Sequence, residues 1–126
     1  MILYADDDID DRTWFSEACM AVSQSWHIHF VETGQQVIDY LKNKEALRPS
    51  LIMLDLNMPG MDGRQTLKQL KEDQSLQHIP VVMVTTSINR IDKEVCHRLG
   101  AYKLITKPDT MNKWQQVIQQ LQHLMG

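Results

Sequence analysis

The apolar residues of this chain occur in short runs that alternate with stretches spaced like one face of a helix. Most of the runs are apolar at consecutive positions, which is typical of strands buried on both faces of a sheet. The sequence predicts five such strands, at Ile2–Ala5, His27–Glu32, Leu51–Leu54, Ile79–Val84 and Tyr102–Ile105.

The segments after these runs carry apolar residues three and four positions apart, as amphipathic helices do. The first offers two overlapping stripes, one through Trp14, Ala18, Ala21 and Val22 and one through Phe15, Cys19 and Val22. The later stripes are Val37, Ile38 and Leu41 after Gly34; Leu67 and Leu70 after Gly63; Ile91, Val95 and Leu99 before a capping Gly100; and Trp114, Ile118, Leu121 and Met125. Five strands alternating with five helices predict an α/β fold in which helices cover both faces of a parallel sheet. With no linker or repeat, residues 1–126 are expected to form one domain.

Composition narrows the class of protein without identifying it. A chain of 126 residues, 43% hydrophobic and 23% charged, is typical of one globular domain with a full core. A net charge of −3 gives no basic surface for nucleic acid. No apolar run approaches the roughly 20 residues of a membrane span, and no signal peptide opens the chain. Cys19 and Cys96 lack metal-binding spacing, so buried, reduced thiols in a cytoplasmic protein are expected.

Polar residues follow the predicted strands where each one ends. Asp6, Asp7 and Asp8 come after the first strand, and Asp55 and Asn57 follow the third. The fourth is followed by the run Thr85–Ser87 and the fifth by the run Thr106–Pro108, which contains Lys107. Ligands of open parallel sheets bind at the carboxyl ends of the strands, so these groups should converge on one site.

The residue types at that edge predict phosphoryl chemistry. Asp6, Asp7 and Asp55 would repel one another if ionised together, so a cation is needed between them. Carboxylates without histidine or thiolate favour a hard ion, and Mg²⁺ is the best match. Lys107 and Thr85 suit phosphoryl oxygens, and a carboxylate can itself be the nucleophile. The pattern therefore indicates phosphoryl transfer onto an aspartate.

The sequence resembles a response-regulator receiver domain of two-component signalling, of the stand-alone, chemotaxis-regulator type. The resemblance covers nearly the whole chain and depends on four features in order: the acidic pair after ILYA, LDLNMPGMDG around Asp55, Thr85 after VVMV, and the Lys107–Pro108 pair. It implies a flavodoxin-like (βα)5 fold with strand order 2-1-3-4-5. It also implies that the chain has no effector domain and is a phosphorylation-controlled switch rather than an enzyme with a separate substrate.

The resemblance further implies a role for each site residue. Asp55 would accept a phosphoryl group from a sensor histidine kinase or a histidine phosphotransfer protein. Asp7, Asp55 and the backbone carbonyl of Asn57 would bind Mg²⁺ directly, with Asp6 acting mainly through water. Thr85 and Lys107 would hold the phosphoryl group, and a cis peptide bond is implied between Lys107 and Pro108.

Two further expectations concern turnover and output. Asn57 and Ser87, two residues beyond the acceptor and the threonine, would tune hydrolysis of the acyl phosphate. Many receivers carry an aromatic residue three positions before the lysine, where this chain has Leu104. Tyr102 should project on the same strand face, either as a half-exposed aromatic or as a relocated switch. Output would pass through an unidentified protein target or a phosphorelay, and a homodimer through the last helix and its neighbouring strand face is a further option.

The acidic residues after the first strand also allow other interpretations. Asp8, Asp10 and Asp11 are best explained as cap and first-turn acids of a helix. A phosphatase of the haloacid-dehalogenase type would use Asp6 as nucleophile and Asp8 as acid, but it leaves Asp55 unexplained and needs another acidic pair after the lysine. A phosphate-independent interaction module would have a degenerate site, whereas here each member is present.

Overall fold

The computed structural model describes residues 1–22, 25–86 and 88–125, which form five strands and five helices. The strands are β1 (Ile2–Ala5), β2 (Ile28–Val31), β3 (Leu51–Asp55), β4 (Val81–Thr85) and β5 (Lys103–Thr106). The helices are α1 (Ile9–Ala21), α2 (Gly34–Lys42), α3 (Gly63–Glu72), α4 (Arg90–Arg98) and α5 (Met111–Met125). None of the described helices is both long and apolar enough to cross a membrane.

The strands form one parallel sheet, as the sequence predicts, in the order β2-β1-β3-β4-β5 that the family resemblance implies. In register, Ala5 of β1 lies beside Leu54 of β3, and Asp55 lies beside Val84 of β4. This pairing brings the ends of β1, β3 and β4 together at one edge. Strands are added on one side of β1 and then on the other, so the strand order reverses between β1 and β3, which is where open sheets of this kind bind ligands.

Two hydrophobic layers lie on opposite faces of the sheet. The layer under α2, α3 and α4 takes one alternate set of strand residues: Leu3, Ala5, Ile52, Leu54, Val81 and Met83. The layer under α1 and α5 takes the other set: Ile2, Tyr4, Leu51, Met53, Val82 and Val84. Alternation along each strand thus explains why these runs are apolar at consecutive positions. The three central strands are buried at each of their described positions.

The helical stripes are confirmed for α2, α3 and most of α5, and corrected for two other helices. In α1 the buried residues are Phe15, Ala18 and Cys19, whereas Trp14 is 41% exposed. In α4 the predicted stripe is wrong at Ile91, which is 71% exposed. Among the described residues of α4, Cys96 alone is buried, because this helix lies over the edge of the sheet.

Gly100 caps α4 as the sequence predicts. Its φ of +98° lies in the left-handed region, and the amides of Gly100 and Ala101 donate to the carbonyls of His97 and Cys96. This double hydrogen bond is the Schellman arrangement, which favours glycine.

Two further expectations have different outcomes. The described residues contain no cis peptide bond, so the implied cis bond between Lys107 and Pro108 is wrong. This peptide bond has the trans form, which is intrinsically favoured. The two cysteines are buried and unpaired, as expected. Burial raises the pKa of the Cys19 thiol to about 11, so it stays protonated at neutral pH.

Candidate functional site

Asp6 follows β1 directly and is 0% exposed, although it carries a carboxylate. Its Oδ1 accepts a hydrogen bond from the amide of Asp8 at 2.9 Å, and its Oδ2 accepts one from the Tyr4 hydroxyl at 3.2 Å. Burial raises the pKa of Asp6 from 3.8 to about 6, because the Asp8 amide and Lys107 offset only part of the lost hydration. Asp7, one residue later, is exposed.

Asp55 is the last residue of β3, and both of its carboxylate oxygens are engaged. Oδ1 accepts a hydrogen bond from the amide of Asn57 at 3.0 Å, and Oδ2 accepts one from the ammonium of Lys107 at 2.9 Å. The start of α3 lies close against this residue, since a Cβ built on Gly63 would be 2.4 Å from the Asp55 carbonyl oxygen. Glycine at 63 therefore allows α3 to begin close against the backbone at the end of β3.

Lys107 contacts three carboxylates at once. Its Nζ lies 3.1 Å from Asp6, 2.7 Å from Asp11 and 2.9 Å from Asp55, and its side chain is 9% exposed. Its backbone amide donates to the carbonyl of Thr85, which fixes the end of β5 beside the end of β4. Burial acts to lower the pKa of Lys107, but the hydrogen bonds to Asp11 and Asp55 and the charge of Asp6 outweigh it and raise that pKa. The lysine is therefore charged at any physiological pH.

Of the other predicted site residues, Thr85 and Asn57 lie near the end of the sheet that carries Asp55, whereas Tyr102 and Leu104 lie at a separate groove. Thr85 is buried at the end of β4, beside the same edge as Asp55. Asn57 is exposed just beyond the acceptor, whereas Ser87 lies outside the described residues. Tyr102 and Leu104 both line a surface groove of about 520 Å³ between α4 and β5. The hydroxyl-bearing Tyr102 is 62% exposed there and precedes β5 by one residue, so the predicted start of that strand is one position too early.

The donor set fits a hard divalent ion. One oxygen from each of Asp6, Asp7 and Asp55 can be chosen so that the three lie within 4.8 Å of one another. Among the described residues, no buried polar side-chain atom lacks a hydrogen-bond partner, so the site is well formed as it stands. Oxygen ligands of this kind suit Mg²⁺ or a similar ion, with water in the remaining positions.

Sequence reasoning missed two members of this site. Asp11 was assigned to the first turn of α1, which is correct, but it also contacts Lys107. Asp7 and the N-cap Asp8 precede the helix, so no helical spacing in the sequence connects Asp11 with the site. Tyr4 lies within an apolar run that predicts core packing, and its ring is buried in the core, but its hydroxyl also donates a hydrogen bond to Asp6. Burial and the Asp6 charge raise the pKa of this phenol.

Asp8 lies apart from the cluster and caps α1. Its carboxylate accepts the amides of Asp10 and Asp11, and it is exposed. An acid in that position is turned toward the helix terminus rather than toward Asp6 or Asp55. The phosphatase interpretation, which needs Asp8 as proton donor, finds no support in this geometry.

Comparison with known proteins decides the family. The model of the response regulator receiver domain matches residues 2–119. The chain belongs to the response regulator receiver domain family. Receiver domains are signalling switches of two-component systems, and they bind a divalent metal at an acidic cluster of the kind formed here by Asp6, Asp7 and Asp55.

This receiver domain is similar in sequence to known response regulators. It is 28% identical to the response regulator Rcp1 of Synechocystis over 94% of this chain and 84% of Rcp1. It is 35% identical to the two-component response regulator ARR5 of Arabidopsis thaliana, over 85% of this chain and 62% of ARR5.

Solved structures agree with the sequence comparison. The phosphorylated cyanobacterial phytochrome response regulator RcpA superposes with a TM-score of 0.88 at 32% identity, covering 97% of this receiver domain and 90% of RcpA. The Mn²⁺-bound form of Rcp1 gives a TM-score of 0.81 at 28% identity, covering 96% and 90%. The flavodoxin-like receiver fold is thereby confirmed.

Proposed function

We propose that this receiver domain accepts a phosphoryl group on Asp55 from a phosphohistidine donor in the presence of Mg²⁺. The observation that carries the proposal is the contact of Lys107 with both Asp55 and Asp6 inside a cluster of three carboxylates. A lysine and a metal at the same carboxylate supply the positive charge that a transferring phosphoryl group needs.

The transfer itself follows from the chemistry of the acceptor. An Asp55 carboxylate oxygen attacks phosphorus and forms an O–P bond as the P–N bond to the donor imidazole breaks. The electron pair of that bond returns to the imidazole nitrogen. Hydrolysis then breaks the acyl O–P bond by attack of water on phosphorus, which releases inorganic phosphate and regenerates the carboxylate.

Each residue has a proposed part in that reaction. Asp6, Asp7, Asp55 and the backbone carbonyl of Asn57 would hold the metal, which would supply charge neutralisation at the phosphoryl oxygens. Lys107 holds an Asp55 oxygen at 2.9 Å, and the Asn57 amide fixes the other oxygen, so the carboxylate is oriented before the donor arrives. Thr85, buried at the end of β4, would bond a phosphoryl oxygen, and Asn57 and Ser87 would tune hydrolysis.

Output would pass to a protein target or onward through a phosphorelay. The groove between α4 and β5, with Tyr102 and Leu104 in its lining, supports contact with a partner or a second copy of this chain. Regulation would then consist of a change in this groove after phosphorylation of Asp55.

Intact-mass analysis with acetyl phosphate tests the proposal. The chain should gain one phosphoryl group only when Mg²⁺ is present, and Asp55→Asn should gain none. Asp39→Asn on the exposed part of α2 is a matched control and should be modified like the unaltered chain. Modification that persists in Asp55→Asn and disappears in Asp6→Asn would instead support the phosphatase.

A further inference from the structure

Asp11 makes the shortest contact with Lys107, although it is neither a member of the acidic pair Asp6–Asp7 nor the proposed phosphoryl acceptor Asp55. Its Oδ2 lies 2.7 Å from Lys107 Nζ, compared with 2.9 Å for Asp55 and 3.1 Å for Asp6. An ammonium group has three N–H donors. Lys107 Nζ donates hydrogen bonds to Asp11 and Asp55 and forms an ion pair with Asp6, so these three carboxylates together hold the ammonium group.

We propose that Asp11 is a positioning residue that holds Lys107 back toward α1 and thereby restrains phosphorylation of Asp55. The inference depends on the proposed function, since it assigns regulation to the same reaction. A phosphoryl group would add oxygens beyond the present Asp55 carboxylate, so the ammonium must move outward or redirect a donor to reach them. The contact with Asp11 opposes that movement.

Asp11 is the contact most easily released. Asp6 is 0% exposed and is fixed by the Asp8 amide and the Tyr4 hydroxyl. The side chain of Asp11 is 21% exposed, so its carboxylate can be rehydrated when the lysine leaves. Charged hydrogen bonds are stronger than neutral ones, and an exposed carboxylate recovers part of that strength from water. The restraint is thus strong enough to slow the reaction without blocking it.

Helix α1 sets this arrangement through its cap. The Asp8 side chain accepts the amides of Asp10 and Asp11, which fixes the first turn. Asp10 is exposed on that turn, and within the described part of the chain no contact joins its carboxylate to Lys107. Asp10 thus carries the same charge at nearly the same place and is a matched control.

The test measures the rate of phosphorylation by acetyl phosphate at saturating Mg²⁺. Asp11→Asn and Asp11→Ala should react roughly threefold to tenfold faster than the unaltered chain, because Lys107 is released. Asp10→Asn should react at the unaltered rate. Equal or lower rates in both Asp11 variants would overturn the inference, and so would an equal gain in Asp10→Asn.

A double-mutant cycle separates the lysine from a general effect of charge. Asp11→Asn should give no acceleration in a chain that also carries Lys107→Met, because the restrained group is then absent. An acceleration of the same size in that background would mean that Asp11 acts on the phosphoryl group by repulsion, and the inference would be wrong.

A measurement without metal adds a readout independent of the reaction. In chelator-treated protein, the ¹⁵N resonance of the Lys107 ammonium should shift in Asp11→Asn and stay in place in Asp10→Asn. An unmoved resonance in Asp11→Asn would contradict the contact. If the unaltered chain takes no phosphoryl group at all, the proposed function fails; if it is modified normally while both Asp11 variants match it, this inference alone fails.

Discussion

The acidic pocket at the ends of β1 and β3 and the groove between α4 and β5 are held together by different means. In the pocket, Asp6, Asp55 and Thr85 are buried, and Lys107 joins several segments through ion pairs. Along the groove, β5 has no buried residue among those described, and α4 has one apolar anchor, Cys96.

This difference indicates which part of the molecule can move when the charge of the pocket changes. The buried charges of Asp6 and Asp55 resist displacement, because a lost contact would leave a buried carboxylate unpaired. A helix with one buried residue can shift at much lower cost. Its main polar tie is Arg64 of α3, whose guanidinium bonds the Asp92 carboxylate in the first turn of α4. A signal that begins in the pocket would therefore be expressed along α4.

The largest effect is expected from removing the shared cation of the pocket. Lys107→Met in metal-free protein should lower the free energy of unfolding by about 3 kcal/mol, since Asp6 and Asp55 lose their counter-charge. Urea denaturation at neutral pH measures it. Lys103→Met on exposed β5, whose ammonium contacts only Gln120 among the described residues, is the control and should cost roughly 0.5 kcal/mol or less. Equal losses in the two variants would remove the contrast between pocket and groove.

The next effect is a pH dependence of the metal-free protein. Burial raises the pKa of Asp6 in the folded chain from 3.8 to about 6, so the native state binds a proton more tightly than the unfolded state. This residue's contribution to stability is therefore present at low pH and lost as pH rises from about 4 to about 6, on the order of 2 kcal/mol. Between those pH values Asp6→Asn should gain stability relative to the unaltered chain. A pH-independent difference between the two would contradict the burial cost.

The smallest effect concerns the tie that holds α4. Arg64→Gln should lower the free energy of unfolding by about 1 kcal/mol, because the guanidinium–carboxylate pair with Asp92 is partly exposed. Amide hydrogen exchange should become several-fold faster in α4 and stay unchanged in α1. Arg90→Gln removes a fully solvated pair with Glu94 and is the control. If exchange in α4 were equally fast in both variants, the ion pair would not be what holds the helix.

Much of the fold could be predicted because it depends on local pattern. Consecutive apolar runs predicted the buried strands, and alternating elements predicted the parallel sheet. The same logic placed Asp6, Asp55, Thr85 and Lys107 at one edge, since each follows a strand.

The wrong or missing predictions concern residues whose burial or contacts depend on side-chain direction or tertiary packing. Ile91 has helical spacing but lies on a helix that packs over the sheet edge, so it is exposed. Trp14 and Phe15 both fit a stripe, and only the angle at which α1 docks selects Phe15. The contact of Asp11 with Lys107 spans 96 positions, so no local pattern could reveal it.

The contacts of Lys107 with Asp6 and Asp55, which lie far from it in the sequence, have a consequence for folding during synthesis. Asp6 and Asp55 leave the ribosome long before their shared cation, which comes 52 residues after Asp55. Until then a nascent sheet of β1 and β3 can bury these acids only by protonating them or by binding a cation from solution, since burying bare charge is too costly. We therefore expect that fragments that stop before residue 107 depend on divalent cation or low pH to bury Asp6 and Asp55.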